Sequence, residues 1–251
     1  MFILPPMNTP HSSLQALIFD VDGTLADTER DGHRIAFNAA FEEAGLPWHW
    51  DVALYGDLLA VTGGKERMFY YARQHAPDLL AKPEFDSLVR KLHALKTQHY
   101  VHLVQAGKLP LRPGIARLIY EARAAGVRLA IATTTSPENV AALLRASLSP
   151  EAESWFEVIG AGDIVPAKKP APDIYDWVLA RLGLPAECCL AFEDSENGLK
   201  SSRAAGIPTL VTENDYTRGH DFTGALAVLP DLAQTTLAEV QKIFDKSLSS
   251  R

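Results

Sequence analysis

What most limits the fold of this chain is a rhythm. Short, almost unbroken apolar runs recur between stretches of helical periodicity. The runs span Leu14–Phe19, Val127–Ala132, Glu157–Gly160, Cys189–Phe192, Pro208–Val211 and Leu226–Leu229. Between them lie helix-like patterns over Gly114–Ala124, Pro137–Ser147, Pro172–Leu182 and Glu196–Ala205, with Gly126, Gly183 and Gly206 as stop signals. A strand with one wet face alternates polar and apolar residues; a strand buried on both faces does not. The pattern therefore predicts an α/β fold, a Rossmann-like parallel sheet wrapped by helices. No internal repeat or low-complexity segment interrupts it.

The rhythm breaks between about Arg30 and Gly107, where helical patterns continue without a convincing buried strand. This interval predicts an inserted helical unit, so that residues 1–29 and 108–251 form the core and residues 30–107 the insert. Phe85, Leu88, Val89, Leu92, Leu95, His99 and Leu103 recur at steps of three and four and predict the core face of one long helix. The Pro- and Gly-rich stretch AGKLPLRPG, Ala106–Gly114, is the expected return linker. Loose ends are expected over the first fourteen residues and after about Thr236.

Composition excludes several partners. A net charge of −7 without a long Lys/Arg run leaves no basic footprint for nucleic acid or an anionic membrane. No run of about eighteen apolar residues is present, and MFILPPMNTP is too short and too Pro-interrupted for a signal-peptide core. The adjacent Cys188 and Cys189 would point to opposite faces of a strand, which predicts core filler and not a disulfide or metal site. A monomeric, soluble, cytoplasmic protein is expected.

Ligands of open parallel α/β sheets bind beyond the carboxyl ends of the strands, so the residues delivered there carry the chemistry. The first run ends in Asp20 and Asp22, which project to the same side, followed by Gly23. The second ends in Thr133–Ser136, a row of hydroxyls; the third is followed by Lys168, Lys169 and Pro170; the fourth ends in Glu193 and Asp194. One Asp-x-Asp alone would be a solvated turn or a helix cap. Four stretches that together supply carboxylates, hydroxyls and an ammonium suit a phosphoryl group held by Mg²⁺. A carboxylate can itself attack phosphorus.

These stretches resemble the haloacid dehalogenase superfamily of phosphotransferases, in the order usual for it, with DVDGT the most specific piece. The resemblance implies Asp20 as nucleophile, Asp22 as general acid/base, Thr133 and Lys169 on the phosphoryl group, and Mg²⁺ held by Asp20, Asp194, Glu193 and the backbone carbonyl of Asp22. The insert would then be a helical cap closing over the site. Within it, DTERDGHRIAFN and GGKERM, supported by LPLRPG, resemble the CbbY-like branch, which removes one phosphate from xylulose 1,5-bisphosphate, an inhibitor of Rubisco in the Calvin cycle. That implies a small phosphorylated sugar as ligand, met by Glu29, His33, Gly64, Lys65, Arg67, Lys96 and Thr134. Blander roles stay open: an N-cap for Thr134, a satisfied helix histidine for His33, a solvated face for Lys65 and Arg67, a snorkelling side chain for Lys96. A β-phosphoglucomutase-like phosphotransferase and a phosphoglycolate-type phosphatase share the core residues.

Overall fold

The computed structural model describes residues 13–249. The expected loose start, including MFILPPMNTP, lies outside the described residues except for Ser13 and Leu14, and Leu14 is buried. Six strands form one sheet: β1 (Ala16–Phe19), β2 (Arg128–Ala132), β3 (Val158–Gly160), β4 (Cys189–Glu193), β5 (Thr209–Thr212) and β6 (Ala227–Leu229). Their order is β3-β2-β1-β4-β5-β6, and every neighbouring pair is parallel. The chain winds outward from β1 to one edge, returns, and winds to the other. The switch point where ligands bind is therefore the carboxyl end of β1.

Strand residues alternate between two cores. Leu17, Phe19, Leu129, Ile131, Leu190 and Phe192 face one side, where Phe19 and Phe192 stack with ring centroids 4.7 Å apart. Helices α6 (Ile115–Ala124), α7 (Pro137–Ser147) and α10 (Leu237–Ser249) cover it. The smaller Ala16, Ile18, Ala130, Ala132, Cys189 and Ala191 face the other side, under α8 (Asp173–Leu182), with α9 (Glu196–Ala204) beside it. Truncating a fully buried residue such as Leu17 to Ala costs about 2–5 kcal/mol in such a setting. Cys188 and Cys189 are buried and free.

The tail corrects the sequence-based expectation. Residues after Thr236 form α10, which buries Val240 and Phe244 in the first core. Thr236 and Glu239 make a reciprocal capping box, Thr236 N–H donating to Glu239 Oε2 at 2.7 Å and Glu239 N–H to Thr236 Oγ1 at 3.4 Å. Leu237 N–H also donates to Glu121 Oε2 of α6 at 2.7 Å.

The interval between β1 and β2 holds α1 (Arg34–Glu43), α2 (Val52–Leu58), α3 (Gly64–His75), α4 (Pro77–Leu80) and α5 (Phe85–Gln105). They enclose an aromatic-rich core of their own that includes Phe37, Phe41, Trp48, Trp50, Tyr55 and Phe85. The buried line of α5 is Phe85, Val89, Leu92, Lys96, Tyr100 and Val104. It differs from the expected stripe, most in its second half: Leu88, Leu95, His99 and Leu103 are only half-buried. A step of four residues overshoots 3.6 residues per turn, so over 21 residues the buried line drifts around the helix. Among the described residues no helix is long and apolar enough to cross a membrane.

Candidate active site

Parallel register sets the floor of the site. Phe19 pairs with Ile131 on one side and Phe192 on the other, so the strand ends fall level. Asp20 N–H donates to Phe192 O at 3.0 Å and Thr133 N–H to Gly160 O at 2.9 Å. Asp20, Asp22, Thr133, Thr134, Lys169, Glu193 and Asp194 consequently line one cavity of about 260 Å³. Lys169 Nζ donates to Asp20 Oδ1 at 2.7 Å and to Glu193 Oε1 at 2.6 Å; Tyr175 OH donates to the same Glu193 oxygen at 2.5 Å.

This floor holds more negative charge than it neutralises. Burial pushes Asp20 up to about 7, with Lys169 opposing and Glu193 and Asp22 adding to the rise. Burial, then Asp20 and Glu193, hold Asp194 well above the usual carboxylate range. Burial would lower Lys169, but the charges and hydrogen bonds of Asp20 and Glu193 raise it above its ordinary value. Oxygens of Asp20, Glu193 and Asp194 all lie within 4.8 Å of one another, and buried Glu193 Oε2 has no hydrogen-bond partner among the described residues. A hard cation taking carboxylate oxygens fits this set. Two glycines make room for it: a Cβ on Gly198 would lie 1.8 Å from Glu193 Oε2, and one on Gly23, at φ +83°, 2.1 Å from Asp194 Oδ2.

Asp22 faces the insert. Its Oδ1 accepts from Thr28 Oγ1 at 2.6 Å and lies 2.7 Å from His33 Nε2. Burial would raise this carboxyl, but His33, then Thr28 and Lys96, hold it well below the usual range. Glu29–His33 form a wide π-type turn leading into α1, which turns Glu29 toward the cavity and His33 onto Asp22. The His33 ring stacks on Tyr100 at 4.3 Å. Lys96 Nζ lies over Phe37 at 5.1 Å and Tyr100 at 5.4 Å, and burial, outweighing Asp22 and Glu29, lowers its pKa to about 8.

The residues predicted to meet the sugar thus divide. Glu29 and Arg67 reach the cavity wall. Arg67 is buried; it donates to Leu58 O at 3.2 Å, Tyr55 OH at 2.8 Å and Val61 O at 3.3 Å, while Tyr55 OH donates to Glu29 Oε2 at 2.5 Å. His33 and Lys96 stand behind Asp22 and do not line the cavity. Gly64 and Lys65 line a neighbouring cavity of about 220 Å³ between insert and core, because Asp163 of the β3–α8 loop draws the Lys65 ammonium to itself. Lys168 donates to Gly162 O at 2.5 Å and Asp163 Oδ1 at 2.7 Å.

Four contributors lay outside the sequence-based reading: Thr28, Tyr55, Tyr175 and Asn214. Asn214 Nδ2 donates to Asp194 Oδ2 at 2.8 Å. It stands two residues after β5, so the strand-end rule, carried one strand further, identifies it. The two tyrosines sit in helices whose apolar periodicity hides a polar tip.

A profile of haloacid dehalogenase-like hydrolases matches residues 14–206. Protein CbbY of Cupriavidus necator is 56% identical over 219 residues, covering 87% of this chain and 86% of its own. Protein CbbY of Rhodobacter capsulatus is 50% identical over 230 residues, covering 92% and 99%. A crystal structure of a CbbY mutant from Rhodobacter sphaeroides in complex with xylulose-(1,5)bisphosphate superposes with a TM-score of 0.83 at 45% identity, covering 90% of this chain and 98% of that one.

Proposed function

From the premise that this chain belongs to the haloacid dehalogenase-like hydrolases and is a phosphatase, we propose that it is a Mg²⁺-dependent sugar-bisphosphate phosphatase whose substrate is xylulose 1,5-bisphosphate. The observation that carries the chemistry is the charge imbalance of the floor, with Glu193 Oε2 buried beside Asp20 and Asp194 and without a hydrogen-bond partner among the described residues. The substrate rests on likeness to the CbbY structure that holds this bisphosphate.

Asp20, Glu193, Asp194 and the backbone carbonyl of Asp22 would hold the ion. When bound, Mg²⁺ supplies charge stabilisation to the phosphoryl oxygens. An Asp20 carboxylate oxygen attacks phosphorus as the bond to the sugar oxygen breaks. The electron pair leaves on that oxygen, which takes a proton from Asp22. Lys169 and the Thr133 hydroxyl donate to the phosphoryl oxygens. Water then attacks the aspartyl phosphate, gives its proton to Asp22, and releases phosphate and Asp20. His33 and Thr28 favour the ionised form of Asp22, which suits this second half. An entering phosphate dianion raises the proton affinity of Asp22 and prepares it for the first. Glu29 meets sugar hydroxyls, and Arg67, an insert cation that lines the cavity, meets the distal phosphate.

The test is phosphate release with Mg²⁺ from xylulose 1,5-bisphosphate, ribulose 1,5-bisphosphate, fructose 1,6-bisphosphate, β-glucose 1-phosphate and phosphoglycolate. The reading expects kcat/KM for xylulose 1,5-bisphosphate at least about a hundredfold above the others, roughly 2.7 kcal/mol of discrimination. A flat profile removes the substrate and leaves the phosphatase.

A further inference from the structure

The return linker holds a buried cation that the chemistry above leaves unused. Arg112 is 7% exposed and enclosed by backbone carbonyls. Its Nη1 donates to Gly23 O and to Thr212 O at 2.8 Å; its Nη2 donates to Glu213 O at 2.7 Å and Pro230 O at 2.8 Å. Its Nε lies 3.3 Å from Asp27 Oδ1, and its backbone N–H donates to Leu25 O at 2.8 Å. One planar guanidinium thus joins the turn after β1, the ends of β5 and β6, and the segment through which the chain leaves the insert.

Two of these anchor points bear on Asp194. Gly23 is packed so closely that a Cβ there would overlap Asp194 Oδ2. Glu213, whose carbonyl Arg112 holds, precedes Asn214, and Asn214 Nδ2 donates to that same oxygen. We propose that Arg112 is a positioning residue which fixes both supports of the Asp194 carboxylate and so sets the Mg²⁺ affinity of the site. The inference rests on the reading of Asp194 as a metal ligand. A lysine could not replace the fork: an ammonium is a compact point charge with three donors on a flexible stem, whereas the guanidinium spans carbonyls on two strand ends at once.

Arg117 provides an internal control, since its Nη1 and Nη2 donate to the carbonyls of Ala233 at 2.9 Å, Leu232 at 2.8 Å and Thr235 at 3.0 Å. The experiment compares Arg112→Gln, Arg112→Lys and Arg117→Gln with the unaltered protein. Mg²⁺ binding to metal-free protein is followed by calorimetry, and kcat and KM for an aryl phosphate are measured across a Mg²⁺ titration. Arg112→Gln should weaken Mg²⁺ binding about 10- to 100-fold and lower kcat at fixed sub-saturating Mg²⁺, with KM for the aryl phosphate little changed. Arg112→Lys should fall between, and Arg117→Gln should keep the original Mg²⁺ affinity. Unaltered Mg²⁺ affinity in folded Arg112→Gln, or an equal loss in Arg117→Gln, overturns the proposal. If Arg112→Gln does not fold, Arg112→Lys decides by the same titration, supported by Asn214→Ala, which should reproduce the weakened binding. If the unaltered protein neither binds Mg²⁺ nor requires it, the functional reading itself fails, a result distinct from these.

Discussion

The floor of the site and the insert above it both bury charge, but they treat it in opposite ways. On the floor, Asp20, Glu193 and Asp194 lie together with the Lys169 ammonium, and buried Glu193 Oε2 has no hydrogen-bond partner among the described residues. In the insert, Arg67 already donates to two carbonyls and a hydroxyl, and Lys96 lies against two aromatic rings. In the proposed function a cation supplies the charge that would balance the floor, where a phosphoryl group then binds. Arg67 and Lys96 already have their partners. On the proposed reading, chemistry is concentrated where charge is unbalanced, and discrimination falls to the shape of the cavity wall, to which the insert contributes Leu59, Ala60, Thr62, Gly63 and Arg67.

The sharpest way to break this contrast is to remove charge from the floor. Asp20→Asn should cut aryl-phosphate turnover by at least about 10⁴-fold with the fold intact by circular dichroism, because no other group takes the nucleophile's place. Retained turnover would mean that the floor is not the reacting surface. Asp22→Asn should lower kcat by about 10²- to 10⁴-fold, the span of general acid/base catalysis. Its effect should diminish on an aryl phosphate with a very good leaving group, since the first proton transfer is then unnecessary; an undiminished effect would confine Asp22 to water activation.

In the insert, substitutions should act on stability more than on chemistry. Lys96 is held at about 8 in the folded chain against an ordinary value of 10.5, because burial penalises its charge. The native state therefore releases the proton first. The penalty is complete below about pH 8 and is relieved as pH rises towards 10.5, so stability climbs across that window. The gap corresponds to about 3 kcal/mol. Lys96→Met should accordingly unfold at higher denaturant at pH 7, with the difference shrinking by pH 10. A destabilised variant would show that Asp22 and Glu29 outweigh the cost of burial. Smallest of all, Lys65→Ala removes a partly exposed pair with Asp163, worth about 0.2–1 kcal/mol, and should leave KM for a bisphosphate within about threefold. A larger rise would return Lys65 to the substrate.

The same contrast explains what was legible in the sequence. Asp20, Thr133, Glu193 and Asp194 sit at or just past the ends of recognisable strands, and parallel topology brings those ends to one crevice; the choice of Thr133 within its row of hydroxyls, and of Lys169 over Lys168 in a loop well past β3, came from the family resemblance. Insert residues sit on helices, where periodicity gives a face but no partner. The partner of Lys65 is Asp163, nearly a hundred residues away, and Arg67 is occupied by the local carbonyls of Leu58 and Val61. Lys96, expected to snorkel at the edge of an apolar face, lies in the buried line of α5, and the Thr236–Glu239 cap of α10 is a local signal that an expectation based on nearness to the terminus passed over.

The central position of β1 also fixes an order of assembly during synthesis. This strand leaves the ribosome before any of its neighbours, with all four side chains destined for the interior. Its first partner, β2, begins at Arg128, and its second, β4, at Cys189. Meanwhile α1–α5 can gather around Trp50 and Phe41 using residues that lie close together in the chain. The contacts of the helical unit are thus local in sequence, whereas every ladder contact of β1 spans more than a hundred residues, so the cost of loop closure falls on the sheet and not on the helices.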